Sequence, residues 1–325
     1  MADIAELRLD LMAECDLPRL LRERPCPIIV TNRPLREGGQ FRGDERQRIR
    51  PLLEAIDLGV EYVDVEHDAA HLIPRRWRTQ SIVSHHDFQR MPSDLADVHR
   101  RLSEMGADVV KVVGMARRIE DNLAVFDTLA QASSPTIALA MGEAGLLSRV
   151  LALRYDACFL TYAALGNGEP VAPGQLPVEA MQRIYRARQI GARTRIFGVL
   201  SAERVDDTLL ALLNAATRDG GLDDVWLPFV VPGAGEVGRV VQAYRRLDVA
   251  GYLVLEPAQR AVHSALDEVS SVGLGGRVSV ISCQGGRLVG RWVASLPEAV
   301  ESLAGSEAMA QRFAALLGRQ TTLDR

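Results

Sequence analysis

Lys111 is the single lysine among the 325 residues, and its neighbours are apolar. The chain holds 38 lysines and arginines together, so the other 37 are arginines. Residues 107–113 read Ala-Asp-Val-Val-Lys-Val-Val, which predicts a buried strand. A buried cation is unfavourable without a partner or a chemical task, and only a primary amine can condense with a ketone to an imine. The pattern predicts a Schiff-base lysine.

Imine chemistry also needs proton transfers, and His86 is the candidate for them. A histidine can act first as base and then as acid because its pKa lies near neutrality. His86 follows the predicted strand 81–84, which is one βα unit before Lys111. Because side chains alternate along a strand, we expect His85 and His86 to point in opposite directions. A purely structural histidine is the alternative.

Charged residues follow the other predicted strands. Arg8, Arg33 and Arg149 would bring more positive charge to one rim than a buried site tolerates without anionic partners or an anionic ligand. Glu6 and Glu37 could neutralise part of this charge, orient the histidine or bind hydroxyl groups. A carboxylated, polyhydroxylated substrate would use such a site.

One other cluster could hold a metal ion. His67 and His71 are four residues apart, beside Glu66 and Asp68, which on a helix would suit two metal ligands. No third convergent ligand can be named from the sequence. A solvated loop is therefore the favoured interpretation of residues 66–68.

Apolar runs alternate with helical periodicity up to about residue 190, which predicts βα units around a parallel sheet. Polar residues at the carboxyl ends of such strands are typical of the active rim of a (β/α)8 barrel. Seven strands are predicted, whereas a closed barrel has eight: 3–9, 27–31, 62–65, 81–84, 109–113, 136–140 and 157–161. Helices are predicted at 46–58, 92–105, 119–132 and 177–190.

A second α/β region follows. Its predicted strands are 195–199, 225–230, 251–255, 278–282 and 288–292, and its predicted helices are 206–216, 236–247 and 261–269. No Gly-x-Gly-x-x-Gly follows a strand, so a dinucleotide-dependent redox role is not supported.

Composition excludes several partners. The net charge of −4 offers no footprint for nucleic acid or an anionic membrane. No apolar run reaches membrane-spanning length, and no signal peptide is recognised. The four cysteines form no Cys-x-x-Cys pair, which favours a reducing cytoplasm over a disulfide framework.

Seven motifs in order resemble type I 3-dehydroquinate dehydratase, an aldolase-type (β/α)8 TIM barrel of the shikimate pathway. They are ADIAELRLD (2–10), TNRPLREGG (31–39), YVDVE (62–66), SHHDF (84–88), ADVVKV (107–112), MGEAGLLSR (141–149) and APGQ (172–175). The resemblance covers a first domain of residues 1–192. It implies a hydro-lyase that converts 3-dehydroquinate to 3-dehydroshikimate.

The resemblance also implies roles for individual residues. Lys111 would form the imine, and His86 would be the general acid and base, oriented by Glu37. Substrate-binding residues would be Glu6, Arg8, Arg33, Arg149, which takes the carboxylate, and Gln175, which closes the site. The resemblance implies no metal or dissociable cofactor. It implies a homodimer.

Two departures from the family pattern leave alternatives open. The family has a strand and helix before residues 6–10, so we expect the first βα unit of the barrel to be missing. The family also has Ser or Thr where this chain has Val171. A catalytically impaired protein that binds shikimate-pathway intermediates, or another aldolase-type Schiff-base lyase, therefore remains an alternative.

Residues 193–325 resemble the substrate-binding domain of shikimate dehydrogenase, without its nucleotide-binding domain. The resemblance rests on stretches such as RIFGVL (195–200) and VWLPFVV (225–231). The position of that family's catalytic lysine falls on Gln259, and its Asn and Thr fall on Leu253 and Leu255. We therefore expect this second domain to be catalytically inert.

Overall fold

A computed structural model describes residues 2–75, 78–166 and 171–323. The chain forms two compact units. The first comprises Met1–Arg117, Ala124–Tyr162 and Ala172–Gly174, and the second comprises Arg118–Leu123, Ala163–Val171 and Gln175–Arg325. Because both units are discontinuous in sequence, they do not test the single boundary predicted at residue 192.

Six parallel strands form the sheet of the first unit and pair in chain order. They are β1 (Ala5–Arg8), β2 (Ile28–Thr31), β3 (Tyr62–Glu66), β4 (Gln80–Asp87), β5 (Val109–Met115) and β6 (Thr136–Met141). Continuous apolar runs such as Ile28-Ile29-Val30 are buried, as expected of a parallel sheet covered on both faces. The first six predicted strands are confirmed.

Helices lie between and after these strands: α1 (Leu17–Arg22), α2 (Glu45–Asp57), α3 (Leu95–Glu104), α4 (Asn122–Gln131) and α5 (Leu146–Leu151). Several of these helices have an aspartate at the N-cap position. Asp44 accepts the backbone N–H of Gln47, whose side chain accepts in return, which makes a capping box for α2. Asp94 caps α3. The predicted helices at 46–58 and 92–105 are confirmed.

The predicted strand at 157–161 is wrong as a regular strand. One parallel bridge joins Thr136 to Cys158, and the Phe159 N–H donates to the Thr136 carbonyl at 2.8 Å. Beyond that contact the segment leaves the ladder. The first unit is thus an α/β domain with a curled, open parallel sheet, in the predicted class of fold, with six regular strands where a closed barrel has eight.

The second unit contains a separate mixed sheet with strand order β10-β12-β11-β9-β7-β8. Its strands are β7 (Arg195–Ser201), β8 (Asp224–Val230), β9 (Val249–Val254), β10 (Glu268–Val269), β11 (Val280–Gln284) and β12 (Arg287–Arg291). Its helices are α6 (Val178–Arg183), α7 (Asp207–Asp219), α8 (Val237–Ala243), α9 (Leu296–Ala304) and α10 (Glu307–Leu323).

The five strands predicted for this region are present, with shifted ends. The helix predicted at 261–269 is instead a 3-10 helix, Ala258–Ala265, and the helix predicted at 177–190 is only the six residues of α6. Across the described ranges, no helix has the length and apolar character needed to cross a membrane.

Candidate active site

Strand alternation places several charged side chains of the first unit on one face of its sheet. Glu6 and Arg8 are two residues apart on β1, and Asp64 and Glu66 are two apart on β3. Side chains with that spacing share a face. Lys111 on β5 is in register with Ser84 on β4, so consecutive strands bring these groups side by side.

Lys111 is buried, with 4% of its surface exposed. Its Nζ donates to Asp64 Oδ2 at 2.7 Å and to the Tyr162 hydroxyl at 3.1 Å, and it lies 3.9 Å from Glu6 Oε1. Burial alone would lower the pKa of Lys111, but attraction to Asp64, and then to Tyr162 and Glu6, raises it above its ordinary value. The resting amine is therefore an ammonium group.

Arg33 is buried at the centre of a network of charges. It bonds Asp64 at 2.7 Å, Glu66 at 2.6 Å and the Ser84 hydroxyl at 2.8 Å. We predicted that Glu6 and Glu37 would neutralise the arginines, whereas Asp64 and Glu66 are the direct partners of Arg33. Glu66 ends β3, is fully buried and also pairs with Arg48. Its interpretation as part of a solvated loop is wrong.

His86 and Glu37 form a buried pair. His86 Nδ1 lies 2.9 Å from Glu37 Oε2, which also accepts the His86 backbone N–H at 3.1 Å. Burial raises the pKa of Glu37 to about 8, and burial, reinforced by Arg33, lowers the pKa of His86 well below its ordinary value. Burial thus disfavours charge on both partners.

A tight turn carries Glu37 to this position. Glu37 ends the 3-10 helix Leu35–Glu37, and Gly38 follows in the left-handed region with φ of 75°. A Cβ at Gly38 would fall 2.1 Å from the ring of Phe88, which packs beside His86. Glycine meets both requirements because it has no side chain.

Two predicted substrate-binding arginines differ in their surroundings. Arg8 pairs with Asp10 through two bonds, at 2.9 and 2.7 Å. Arg149, which lies in α5, is 1% exposed. Its Nη2 donates to the Pro173 carbonyl at 3.0 Å, and its Nε has no partner. Among the described residues no carboxylate pairs with it, and burial lowers its pKa to about 10.

The structure therefore places six of the predicted residues on strands of this sheet or in the turns that follow them: Glu6, Arg8, Arg33, Glu37, His86 and Lys111. Gln175 belongs to the second unit, and its predicted role in closing the site stays a prediction.

Sequence reasoning missed Asp64, Ser84 and Tyr162 as partners of the site residues. The alternation in Tyr62–Glu66 could have indicated Asp64, because it shares a face with Glu66. No comparable signal marks Tyr162, which lies outside any regular element.

Comparison with known proteins assigns the family. The sequence profile of the family described as type I 3-dehydroquinase matches residues 1–192, more than half of the chain. This chain belongs to the type I 3-dehydroquinase family.

Several relatives share this half of the chain. The 3-dehydroquinate dehydratase of Methanopyrus kandleri is 37% identical over 190 residues, which cover 56% of this chain and 86% of that protein. The 3-dehydroquinate dehydratase of Dehalococcoides mccartyi is also 37% identical, over 56% of this chain and 84% of that protein.

The bifunctional chloroplastic 3-dehydroquinate dehydratase/shikimate dehydrogenase of Arabidopsis thaliana is 32% identical over 280 residues. These residues cover 82% of this chain and 46% of the plant protein, so this chain spans less than half of that relative. Because the alignment is longer than the 192-residue profile match, similarity to the bifunctional protein continues into the second half of the chain.

Proposed function

We propose that this chain removes water from 3-dehydroquinate to give 3-dehydroshikimate through an imine on Lys111. The observation that carries the proposal is the single lysine, buried among Asp64, Glu6 and Tyr162 in the unit that also holds the His86–Glu37 pair. The names of the relatives aligned with residues of the first half support this choice of substrate.

The chemistry follows from these groups. Lys111 Nζ attacks the C3 ketone, and loss of water forms the protonated imine, which acidifies the C2–H bond. His86 Nε2 takes the C2 proton while Glu37 holds Nδ1–H. The C1 hydroxyl leaves as water with that proton, and hydrolysis of the conjugated imine releases 3-dehydroshikimate and restores the amine.

The resting ammonium of Lys111 must lose a proton before it can attack. Its bond to Asp64 stabilises the charged form, so only the free-amine fraction reacts. We expect imine formation to accelerate as the pH rises, because the raised pKa keeps that fraction small at neutral pH.

Substrate recognition is assigned to the remaining charged groups. Arg149 is a buried guanidinium without an anionic partner among the described residues, and a substrate carboxylate would supply that partner. As the resemblance implies, Glu6, Arg8 and Arg33 would hold the substrate, and Gln175 would close the site.

The test is reductive trapping. The protein is incubated with 3-dehydroquinate and borohydride, and peptide mass spectrometry locates the adduct. We expect a stoichiometric adduct on Lys111 together with conjugated-enone absorbance in parallel turnover assays. Lys111→Arg is the matched control, because it keeps a positive charge and lacks the primary amine. Turnover without labelling of Lys111 would rule the mechanism out.

The same assay separates the alternatives. Saturable binding of 3-dehydroquinate without turnover would indicate the impaired binding protein, for which the open six-stranded sheet and Val171 are the supporting observations. Turnover of a different keto acid from a substrate panel would indicate another Schiff-base lyase.

We further propose that residues 193–325 are catalytically inert. Gln259, at the position of the lysine in the family it resembles, is buried and donates to the Val254 carbonyl at 3.0 Å. Addition of shikimate and NADP+ should therefore give no reduction of the nucleotide. The proposal also includes a homodimer, which light scattering would test. It further includes a cytoplasmic location, which the four free cysteines favour.

A further inference from the structure

Two histidines without a role in the proposed reaction face a carboxylate that has one. His67, directly after β3, and His85, on β4, direct Nδ1 at Glu37 Oε1, at distances of 3.8 and 3.9 Å. Their rings meet edge to face, with centroids 5.2 Å apart. One ring nitrogen of each histidine and one carboxylate oxygen of Glu37 all lie within 4.8 Å of one another.

Hydrogen bonds do not account for this arrangement. Both Nδ1 atoms are buried and have no hydrogen-bond partner within the described part of the chain, and separations of 3.8 and 3.9 Å are too long for hydrogen bonds. The bonds of Glu37 to His86 use its other oxygen, Oε2. Buried polar atoms without partners are uncommon and call for an explanation such as a missing ion.

The parallel sheet sets the spacing of the two histidines. Glu66 is in register with Ser84, and the His67 N–H donates to the Ser84 carbonyl at 3.0 Å. His67 and His85 therefore follow paired residues on neighbouring strands. The sequence paired His67 with His71 instead, but His71 is exposed on the 3-10 helix Ala70–Leu72 and is not part of the cluster.

We propose that Glu37, His67 and His85 form a binding site for a divalent transition-metal ion, best suited to Zn²⁺. Two imidazoles and one carboxylate, with a fourth position open to water, are a set of ligands that zinc accepts. Tetrahedral zinc with bonds of 2.0–2.2 Å separates its ligand atoms by about 3.4 Å, so each histidine nitrogen needs to come only a few tenths of an ångström closer to Glu37 Oε1, from 3.8 and 3.9 Å. Calcium and magnesium prefer oxygen ligands and fit poorly.

The site shares Glu37 with the proposed catalytic pair. A zinc ion bound to Oε1 withdraws electron density from the Glu37 carboxylate and so weakens the hydrogen bond that Oε2 accepts from His86. Zinc binding should therefore slow the dehydratase. This consequence rests on the proposed function, whereas metal binding itself does not. Zinc would thus act as an inhibitor and not as a cofactor of the reaction.

Binding is tested with zinc chloride by calorimetry on chelator-stripped protein without a histidine tag. The Cys15→Ser background removes an exposed competing thiol. We expect one ion per chain, and a loss of affinity of at least about tenfold in both His67→Ala and His85→Ala. His71→Ala is the matched control and should bind like the parent. Cobalt(II) as a probe should give the visible spectrum of a four-coordinate ion only when both histidines are present.

Parent affinity in both His67→Ala and His85→Ala, or no saturable binding by the parent, would overturn the site. The His67 side chain is 40% exposed, so His67→Ala decides the matter even if His85→Ala fails to fold. In the activity arm, the ratio of turnover with and without zinc should fall for the parent and for His71→Ala but not for His67→Ala. A protein without dehydratase activity would still be judged by the calorimetry, which keeps the two proposals separable.

Discussion

The two units bury polar groups of different kinds. In the first, Lys111, Arg33, Asp64 and Glu66 are ionisable residues inside or directly after strands, and all are nearly inaccessible to solvent. In the second, the core is built on apolar contacts such as the stacking of Phe197 on Trp226, with ring centroids 4.8 Å apart.

Buried polar groups of the second unit include an ion pair, Asp224 with the half-exposed Arg195, and neutral groups that bond the backbone. Asn214 on α7 donates to the Trp226 carbonyl at 2.9 Å and accepts the Trp226 N–H at 3.0 Å, which ties the helix to β8. A neutral, fully bonded amide stabilises a core, whereas buried ion pairs are weak evidence for stability. The difference is the one we expect if the clustered charges of the first unit serve the proposed reaction and neutral groups such as Asn214 serve packing.

Removal of the proposed acid and base should have the greatest effect on catalysis by the first unit. His86→Ala should lower turnover of 3-dehydroquinate by about 10²–10⁴-fold, the usual contribution of a positioned proton-transfer group. Borohydride should still trap the substrate on Lys111, because imine formation does not depend on this ring. Steady-state rates and adduct mass are the measurements, with exposed His71→Ala as control. Loss of the adduct as well as turnover would contradict the separation of roles.

In the second unit, Trp226→Ala should affect stability alone. Trp226 is fully buried, and its Nε1 donates to Thr217 at 3.2 Å, so truncation should lower the free energy of unfolding by about 3–5 kcal/mol. Urea denaturation measures this change, and kcat per folded molecule should stay the same. A lower kcat at unchanged stability would show that the second unit takes part in the reaction.

The same substitution at two arginines should have opposite effects on stability. Arg149→Met removes a buried charge without a carboxylate partner among the described residues, so stability should rise by about 1 kcal/mol. The KM for 3-dehydroquinate should rise about 10–100-fold, as expected for loss of a charged hydrogen bond. Arg33→Met removes a buried cationic partner from both Asp64, which keeps Lys111, and Glu66, which keeps Arg48, and should lower stability by about 3–5 kcal/mol. Thermal unfolding and Michaelis–Menten kinetics distinguish the two variants. Destabilisation by Arg149→Met would count against Arg149 as an unpaired cation that awaits the substrate carboxylate.

The smallest expected effect concerns the charge of Lys111. Its pKa is lowered by burial and raised by Asp64, so Asp64→Asn should let burial dominate and lower it. More free amine should then be present at pH 8, and trinitrobenzenesulfonate should label the single lysine about tenfold faster for each unit of pKa lost. Asp97→Asn, an exposed residue of α3, is the control. An unchanged labelling rate would show that Asp64 does not set the charge.

Much of the first unit could be predicted because its local signals agree. These signals are local: an apolar run, an aspartate cap or the lone lysine each depends only on residues nearby in the sequence. The six strands of its sheet are found as predicted. The prediction of a strand at 157–161 was wrong because a strand also needs a neighbouring strand to pair with. The composition of this segment does not reveal that Cys158 alone bridges to β6, through Thr136. The prediction of an α-helix at 261–269 was wrong for a related reason. The apolar spacing of the 3-10 helix Ala258–Ala265 also suits an α-helix.

The sequence by itself determined which side chain can form an imine, the strand that carries it and the family to which the chain belongs. Only the tertiary structure decided that Asp64 and Tyr162 hold that amine, that Asp64 and Glu66 neutralise Arg33, and that Arg149 is buried with no carboxylate partner among the residues the structure describes. Only the tertiary structure, too, brings His85 to His67. These contacts join residues from different strands, turns and helices, and the strand pairing that brings many of them together is set by sheet register, which no local pattern encodes.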